Sequence, residues 1–162
     1  MKKLFGILFI TLVNTGLVIS QSSVNLSWIG QSTFLMKTGD GVKVLMDPAN
    51  PGMVKAEVPD IIDLVTISHE HGDHNYVAMA KGNPVIIRGL KGTDYARVDT
   101  MFKGIHVYTV GSFHDNQGGS QRGKNAIFVF ELPGVKVVHL GDLGHQLNDS
   151  QVSAIGATDI LL

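Results

Sequence analysis

The sequence predicts an α/β fold built from layers of mixed β-sheet with a few short helices. Short apolar segments recur along the chain and are separated by Gly, Asp and Asn residues, which favour turns. Some of these segments alternate apolar and polar residues, as half-buried strands do, and others are apolar throughout, as strands buried on both faces are. With 162 residues, 44% of them hydrophobic, the chain is long enough for one domain with a substantial core.

The first twenty residues differ from the rest of the chain. Lys2 and Lys3 precede an apolar stretch over residues 4–17, and small residues before Gln21 suit cleavage. We interpret residues 1–20 as a signal peptide and residues 21–162 as the mature domain, and we expect export to the periplasm or the medium. An uncleaved membrane anchor is the alternative, but the apolar stretch is short and has polar interruptions. We expect no stable membrane partner after cleavage.

The first half of the mature chain predicts an antiparallel meander followed by a buried strand. Residues 24–29, 32–37 and 42–47 are strand-like and are joined by Gly-containing turns. Residues 61–67 are almost continuously apolar, which favours burial on both faces. The polar residues that follow can cap a short helix over 73–81, which Gly82 ends.

The second half predicts further strands and one more helix. Residues 84–88 predict a short buried strand and 105–110 an alternating one. Residues 126–131 and 135–140 flank a Leu-Pro-Gly turn and predict a hairpin. Residues 152–162 predict a short helix that leads into a buried apolar strand. Such a strand needs cover on both faces, so we expect that the domain is incomplete at its C-terminal end.

The segment 68–74, Ser-His-Glu-His-Gly-Asp-His, is the strongest functional signal in the chain. His69 and His71 leave the end of a strand two residues apart and project from the same side, while Asp73 and His74 turn the corner and can face a second ion. A solvated polar loop is the alternative interpretation, which this clustering of His disfavours. The chain has no Cys, so His and carboxylates must supply the ligands of any metal.

Two later residues occupy similar positions. His114 and Asp142 each follow a predicted strand, as His71 does, so converging loops could bring them to the same rim. Alone, either residue would be an ordinary surface or turn residue. A polar loop at 117–124 follows His114 and is expected to be mobile. Its Arg122 or Lys124 could meet an anionic substrate, although a solvated loop is the default interpretation.

These residues together resemble the metallo-β-lactamase fold superfamily of metal-dependent hydrolases. The matching features are the HxHxDH string at 69–74, then His114, then Gly141-Asp142, and the resemblance extends from Trp28 to Leu162. The most similar branch includes ascorbate-phosphate lactonase-like proteins. The resemblance implies an αβ/βα sandwich of two mixed sheets with outer helices, and two metal ions, most often zinc, with manganese or iron as alternatives. It implies one ion on His69, His71 and His114, a second on Asp73 and His74, and Asp142 as the bridge between them.

The chain departs from the family pattern at two points. A later His completes the second site in the family, and the sequence reaches Leu162 without it. Gln31 stands where relatives often have His. We expect Gln31 and His145 to support the site or contact substrate, with a capping role as the alternative for His145.

Two adjacent divalent ions would make hydroxide available at neutral pH and would suit the cleavage of a small ester, lactone or phosphoester. Asp73 is placed to orient that hydroxide as well as to bind metal, so it is the predicted catalytic residue. A non-catalytic metal-binding protein and a nuclease of the same fold are the alternatives. The formal net charge of −1 gives no positive field for a polyanion, so we expect a small-molecule substrate and no nucleic acid.

Overall fold

The computed structural model describes residues 23–58 and 61–162, so the predicted signal peptide lies outside the described residues. The first sheet has the strand order β1-β2-β3-β4-β5. Its antiparallel part, β1 to β3, is the predicted meander, and β4 and β5 are added in parallel. Its strands are β1 (Val24–Gly30), β2 (Thr33–Thr38), β3 (Lys43–Met46), β4 (Leu64–Ile67) and β5 (Val85–Arg88).

The second sheet follows a short antiparallel ribbon of β6 (Leu90–Lys91) and β7 (Asp94–Tyr95). It has the order β12-β11-β10-β9-β8 and is antiparallel except for the β11–β12 pair, and the predicted hairpin is β10–β11. Both sheets are therefore mixed, which confirms the predicted fold class. The strands are β8 (Asp99–Phe102), β9 (Ile105–Phe113), β10 (Lys124–Leu132), β11 (Val135–His139) and β12 (Ile160–Leu161).

The core lies between the two sheets because alternate residues of each strand face inward. On β3, Val44 and Met46 pack toward the second sheet while Leu45 packs on the opposite face. On β10, Phe128 and Phe130 face the first sheet, and Ile127 and Val129 face outward. Period-two alternation of this kind is what places each side chain in a sandwich.

Short helices cover the outer faces. Helix α1 (Asp149–Ile155) begins at a capping box in which Asn148 and Gln151 bond each other's backbone, and Gly156 ends it. Its Ile155 packs on the outer face of the second sheet. A single 3₁₀ turn, Val77–Met79, packs with Val54 on the outer face of the first sheet. No helix in the described part of the chain combines the length and apolarity that a membrane span requires.

Two expectations about the elements are wrong. The helix predicted over 73–81 is only the 3₁₀ turn, because the backbone N–H of Tyr76 bonds Pro48 O at 2.7 Å instead of continuing a helix. The predicted buried strand at 84–88 is an edge strand, on which Val85 is 51% exposed. The predicted last strand is present as β12, at the edge of the second sheet, where Leu161 is 62% exposed.

Candidate metal centre

The predicted ligands lie in the loops that follow β4, β9 and β11, where the two sheets meet at one end of the sandwich. His69, His71 and His114 form a cluster in which one ring nitrogen of each lies within 4.8 Å of the others. His69 is 2% exposed and His114 9% exposed, whereas His71 lies on the surface. We call this set the imidazole cluster.

A second cluster consists of Asp73, His74 and Asp142, whose ligand atoms also lie within 4.8 Å of one another. His74 Nε2 lies 3.6 Å from Asp73 Oδ2 and 3.6 Å from Asp142 Oδ2. The same Oδ2 of Asp142 lies 2.8 Å from His114 Nε2. One carboxylate oxygen therefore stands between a nitrogen of each cluster, in the position that a bridging ligand needs. We call this set the carboxylate cluster.

Two buried ring nitrogens in these clusters have no hydrogen-bond partner among the described residues, namely His69 Nε2 and His74 Nε2. Leaving a buried polar atom unpaired costs about 1–3 kcal/mol. One metal ion in each cluster would take one of these lone pairs and remove that cost. A donor set of imidazoles and carboxylates without thiolates fits zinc, and also manganese or iron.

Hydrogen bonds behind the clusters select the tautomer of these two imidazoles in their neutral form. Ser68 Oγ donates to Asp47 Oδ2, so it accepts from Nδ1–H of His69 at 3.0 Å. Nδ1–H of His74 donates to Asp47 Oδ2 at 2.8 Å. In the neutral form of both rings these bonds place the proton on Nδ1, so that the Nε2 lone pair faces the cluster.

The charge state of the rings follows from burial and from Asp47. Burial and, to a smaller extent, the neighbouring imidazoles lower the pKa of His69 to about 4, so His69 is neutral at pH 7. For His74 burial lowers the pKa, but the hydrogen bond and charge of Asp47 outweigh it and the net shift is upward. The pKa of Asp47 itself is lowered, because His139 and His74 outweigh the effect of its burial.

Asp47 orients the imidazoles of the site from the buried interior. It is fully buried, and besides the bonds above its Oδ1 accepts from Ser68 N at 2.7 Å. Asp63, by contrast, accepts hydrogen bonds from Lys43 N and Lys103 Nζ, at 2.9 and 2.6 Å.

Asp142 is held by a residue that sequence reasoning missed. Buried Asn125 accepts a hydrogen bond from Asp142 N at 3.0 Å, and its Nδ2 donates to Ser112 Oγ and Leu140 O, each at 2.8 Å. Gly141 has φ +63°, and a Cβ there would lie 2.5 Å from Asn125 Oδ1, so only glycine fits. The sequence feature that could have pointed to Asn125 is its side-chain amide, which directly precedes the apolar residues of β10, a central strand.

His145 and Gln31 both lie beside the clusters, in different ways. Gln31 Nε2 donates to Asp73 Oδ2 at 3.2 Å, so it steadies a member of the carboxylate cluster. His145 Nε2 accepts from Phe113 N at 3.1 Å, and its Nδ1 donates to Gln146 O at 2.8 Å. Both ring nitrogens of His145 are thus engaged by backbone next to His114, and neither joins a cluster.

Gly144 packs against the backbone of His114, where a Cβ would lie 2.3 Å from His114 C. Its N–H also donates to Phe113 O at 2.9 Å. The segment after Asp142 therefore packs against the backbone of His114 and helps to hold this imidazole in position.

The loop after His114, which the sequence predicts to be mobile, is held by hydrogen bonds to one carboxylate. The carboxylate of Asp115 accepts four backbone N–H groups at 2.8–3.0 Å, those of Gln117, Gly119, Gln121 and Arg122. These bonds, that from Arg122 above all, lower the pKa of Asp115 to about 2. At the end of the loop Gly123 O accepts from His114 N at 3.0 Å.

Two open cavities flank the clusters. The larger, which we call the cleft, has about 390 Å³ and is lined by His69, His71, Arg122 and Lys124 among others. The smaller, about 350 Å³, is lined by His114, Arg122 and Asp142 among others. A cavity of about 520 Å³ beside the 3₁₀ turn contains none of the cluster residues.

His106 and His139 lie away from the cavities. His106 bonds Asp99 at 2.7 Å and Glu131 at 3.0 Å, and these hydrogen bonds raise its pKa. His139 is 1% exposed and its Nε2 contacts Ser32 O at 3.0 Å.

Comparison with known proteins finds a matching family model and relatives that are named metal-dependent hydrolases. A family model described as a beta-lactamase superfamily domain matches residues 25–162. A UPF0173 metal-dependent hydrolase of Archaeoglobus fulgidus is 28% identical, over 86% of this chain and 70% of that protein. One from Thermodesulfovibrio yellowstonii is 36% identical, over 50% of this chain and 32% of that protein.

Solved structures show the same likeness. A Thermotoga maritima structure, described as a candidate zinc-dependent hydrolase of the metallo-beta-lactamase superfamily, is 33% identical with a TM-score of 0.64. That likeness covers 86% of this chain and 60% of the Thermotoga chain. The chain therefore spans only part of the length of these relatives.

Proposed function

The chain belongs to the beta-lactamase superfamily domain family and has the metallo-β-lactamase fold, and from this premise we propose that it is a metal-dependent hydrolase. The observation that supports this best is the position of Asp142 Oδ2, which lies between His114 Nε2 and His74 Nε2. Two ligand sets that share one carboxylate oxygen suit two adjacent ions, and the names of the relatives agree with metal-dependent hydrolysis.

We propose zinc as the metal, with manganese or iron as alternatives. The imidazole cluster would hold one ion, and Asp73 with His74 the other. When bound, the ions supply Lewis acidity and activate water. The residues provide the geometry: Asp142 fixes the separation of the two sites, and Asp47 keeps the His74 lone pair directed into its cluster.

Asp73 is the proposed catalytic residue. Its side chain is 26% exposed, so it reaches the open side of the carboxylate cluster, and Gln31 holds its Oδ2. From that position it can accept a hydrogen bond from the attacking water and align the water's lone pair with the scissile bond.

The proposed substrate is a small ester, lactone or phosphoester. A cleft of about 390 Å³ suits a small molecule. The narrower likeness to ascorbate-phosphate lactonase-like proteins stays a prediction, which lactone substrates test directly. We also propose that residues 1–20 direct export, so secreted material should begin near Gln21 by mass spectrometry. Intact Met1 in a membrane fraction would support the anchor instead.

The experiment that tests the function combines metal analysis with turnover. We expect the purified full chain to contain zinc or a similar metal, and the His69→Ala/His71→Ala variant to lose most of it. His106→Ala is the matched control because its imidazole lies outside both clusters, and it should retain the metal. Wild-type protein should hydrolyse at least one member of a panel of lactones, aryl esters and bis-aryl phosphates. Bound metal without any turnover would support the non-catalytic alternative, and unchanged metal in the double variant would refute the ligand assignment.

A further inference from the structure

The charged side chains of the cleft are balanced by opposite charges except at one residue. Glu70 is paired with Arg88 at 2.6 Å, and Lys124 Nζ lies 2.8 Å from Asp94 Oδ1. Arg122 also lines the cleft, and no carboxylate in the described part of the chain contacts its guanidinium. The protein side chains thus leave one uncompensated positive charge beside the imidazole cluster.

The backbone of Arg122 is held in a fixed relation to that cluster. Its N–H donates to Asp115 Oδ2 at 2.8 Å, and the next residue, Gly123, accepts a hydrogen bond from His114 N at 3.0 Å. Arg122 lines both cavities that flank the clusters. Because hydrogen bonds already hold the backbone of this loop, binding of a ligand at Arg122 costs little backbone entropy.

We propose that Arg122 selects substrates that carry an oxyanionic group, a carboxylate or a phosphate, at the end remote from the scissile bond. This inference rests on the proposed hydrolase function and narrows it to acidic small molecules. The guanidinium presents paired N–H donors that match two oxygens of either group, and such charge-assisted pairs are stronger than neutral ones. Lys124 cannot take this role as readily because Asp94 already binds its ammonium group.

Three matched acetate esters test the proposal by turnover: phenyl acetate, 4-acetoxybenzoate and 4-acetoxyphenylphosphonate. The metal-loaded full chain should favour one or both anionic esters. Arg122→Gln should lower kcat/KM for the favoured ester about tenfold to a hundredfold and leave phenyl acetate within about twofold. Arg122→Lys should restore part of the loss, and Arg97→Gln, which removes an equal charge from a different cavity, should change nothing. The two anionic arms show which oxyanion is preferred. An equal loss on all three esters, or no loss, would overturn the proposal.

Binding provides a readout that does not depend on turnover. Calorimetry on the zinc-loaded protein should show terephthalate binding about tenfold or more tighter than benzoate, and the difference should vanish in Arg122→Gln. If wild type cleaves phenyl acetate but prefers neither anion in turnover or binding, the hydrolase function stands and the role of Arg122 falls. If no ester is cleaved, the proposed ester hydrolysis is refuted, and the binding comparison alone tests anion recognition by Arg122. A preference for terephthalate that is lost in Arg122→Gln supports this recognition. An absent preference, or one that Arg122→Gln retains, overturns it.

Discussion

Replacing Asp47 with Asn should cost the protein stability and weaken the second metal site. The carboxylate is fully buried and accepts three hydrogen bonds, from Ser68 N, Ser68 Oγ and His74 Nδ1, at 2.7, 2.5 and 2.8 Å. An Asn side chain can keep the acceptor for Ser68 N but turns an NH₂ group toward the other two donors. His74 can then pair with that group only by moving its own proton to Nε2, the nitrogen that faces the carboxylate cluster.

The size of the effect follows from the bonds lost. Two charge-assisted hydrogen bonds are worth about 1.5–3 kcal/mol each, and Asn recovers part of this by rearrangement, so we expect a loss of roughly 3 kcal/mol in the free energy of unfolding. Removing the group that orients a ligand imidazole weakens metal binding about tenfold to a hundredfold. The imidazole cluster should suffer less, because Asp47 reaches His69 only through Ser68.

Denaturant unfolding of the metal-free chain and zinc titration measure the two effects separately. The matched control is Asp63→Asn, which changes an aspartate that binds Lys43 N and Lys103 Nζ outside the site. The control should bind metal as wild type does. An Asp47→Asn variant that retains two tightly bound ions and unfolds within about 0.5 kcal/mol of wild type would show that this network does not support the site.

Asp142→Ala should lower kcat on the best substrate far more than it raises KM, because the carboxylate that separates the two sites is removed; steady-state kinetics with full turnover would refute this. Hydrogen bonds to two carboxylates raise the pKa of His106, so its stabilising effect is fully present below the unfolded pKa of about 6.5 and is lost as pH rises through its higher folded pKa. Unfolding of wild type and His106→Gln across pH 5 to 9 should therefore show the variant's deficit shrinking with rising pH, and a constant deficit would contradict the assignment. Gly144→Ala places a Cβ 2.3 Å from the backbone of His114 and should weaken zinc binding and cost about 1–3 kcal/mol, whereas Gly52→Ala, in open space, should do neither; equal metal affinity in both would refute the bracing role.

The parts of the fold that the sequence predicts correctly are those decided by local pattern. The strand-like segments 24–29, 32–37 and 42–47, joined by Gly-containing turns, identify three paired strands, because strand and turn preferences depend on neighbouring residues alone. The apolar run at 84–88 looks the same as that of a buried strand, yet β5 is an edge strand. Which strand ends at an edge depends on the order of the whole sheet, and no window of sequence contains that order.

The candidate site divides in the same way. The string at 69–74 is visible because its residues are adjacent and of unusual type. Asp47 binds partners that lie 21 to 27 positions away in the sequence, and Asn125 binds partners that lie 13 to 17 positions away. Neither residue stands out in its own segment. Their roles depend on contacts that exist only after the sheets have packed.

The separation between the two clusters is therefore a property of the sandwich rather than of one loop. His69 and His74 follow the first sheet, while Asp142 follows the second, and the two sheets are joined directly behind them. Ala126 N of β10 donates to Ser68 O at 3.1 Å, and a Cβ at Gly141 would lie 2.6 Å from Ser68 Cβ. With contact this close, the sheets cannot shift without breaking a buried hydrogen bond, and the distance from Asp142 to His74 stays fixed as long as the core is packed. Ions bound between residues of the two sheets would in turn hold the sheets together, so we expect metal binding and folding stability to be coupled in this chain.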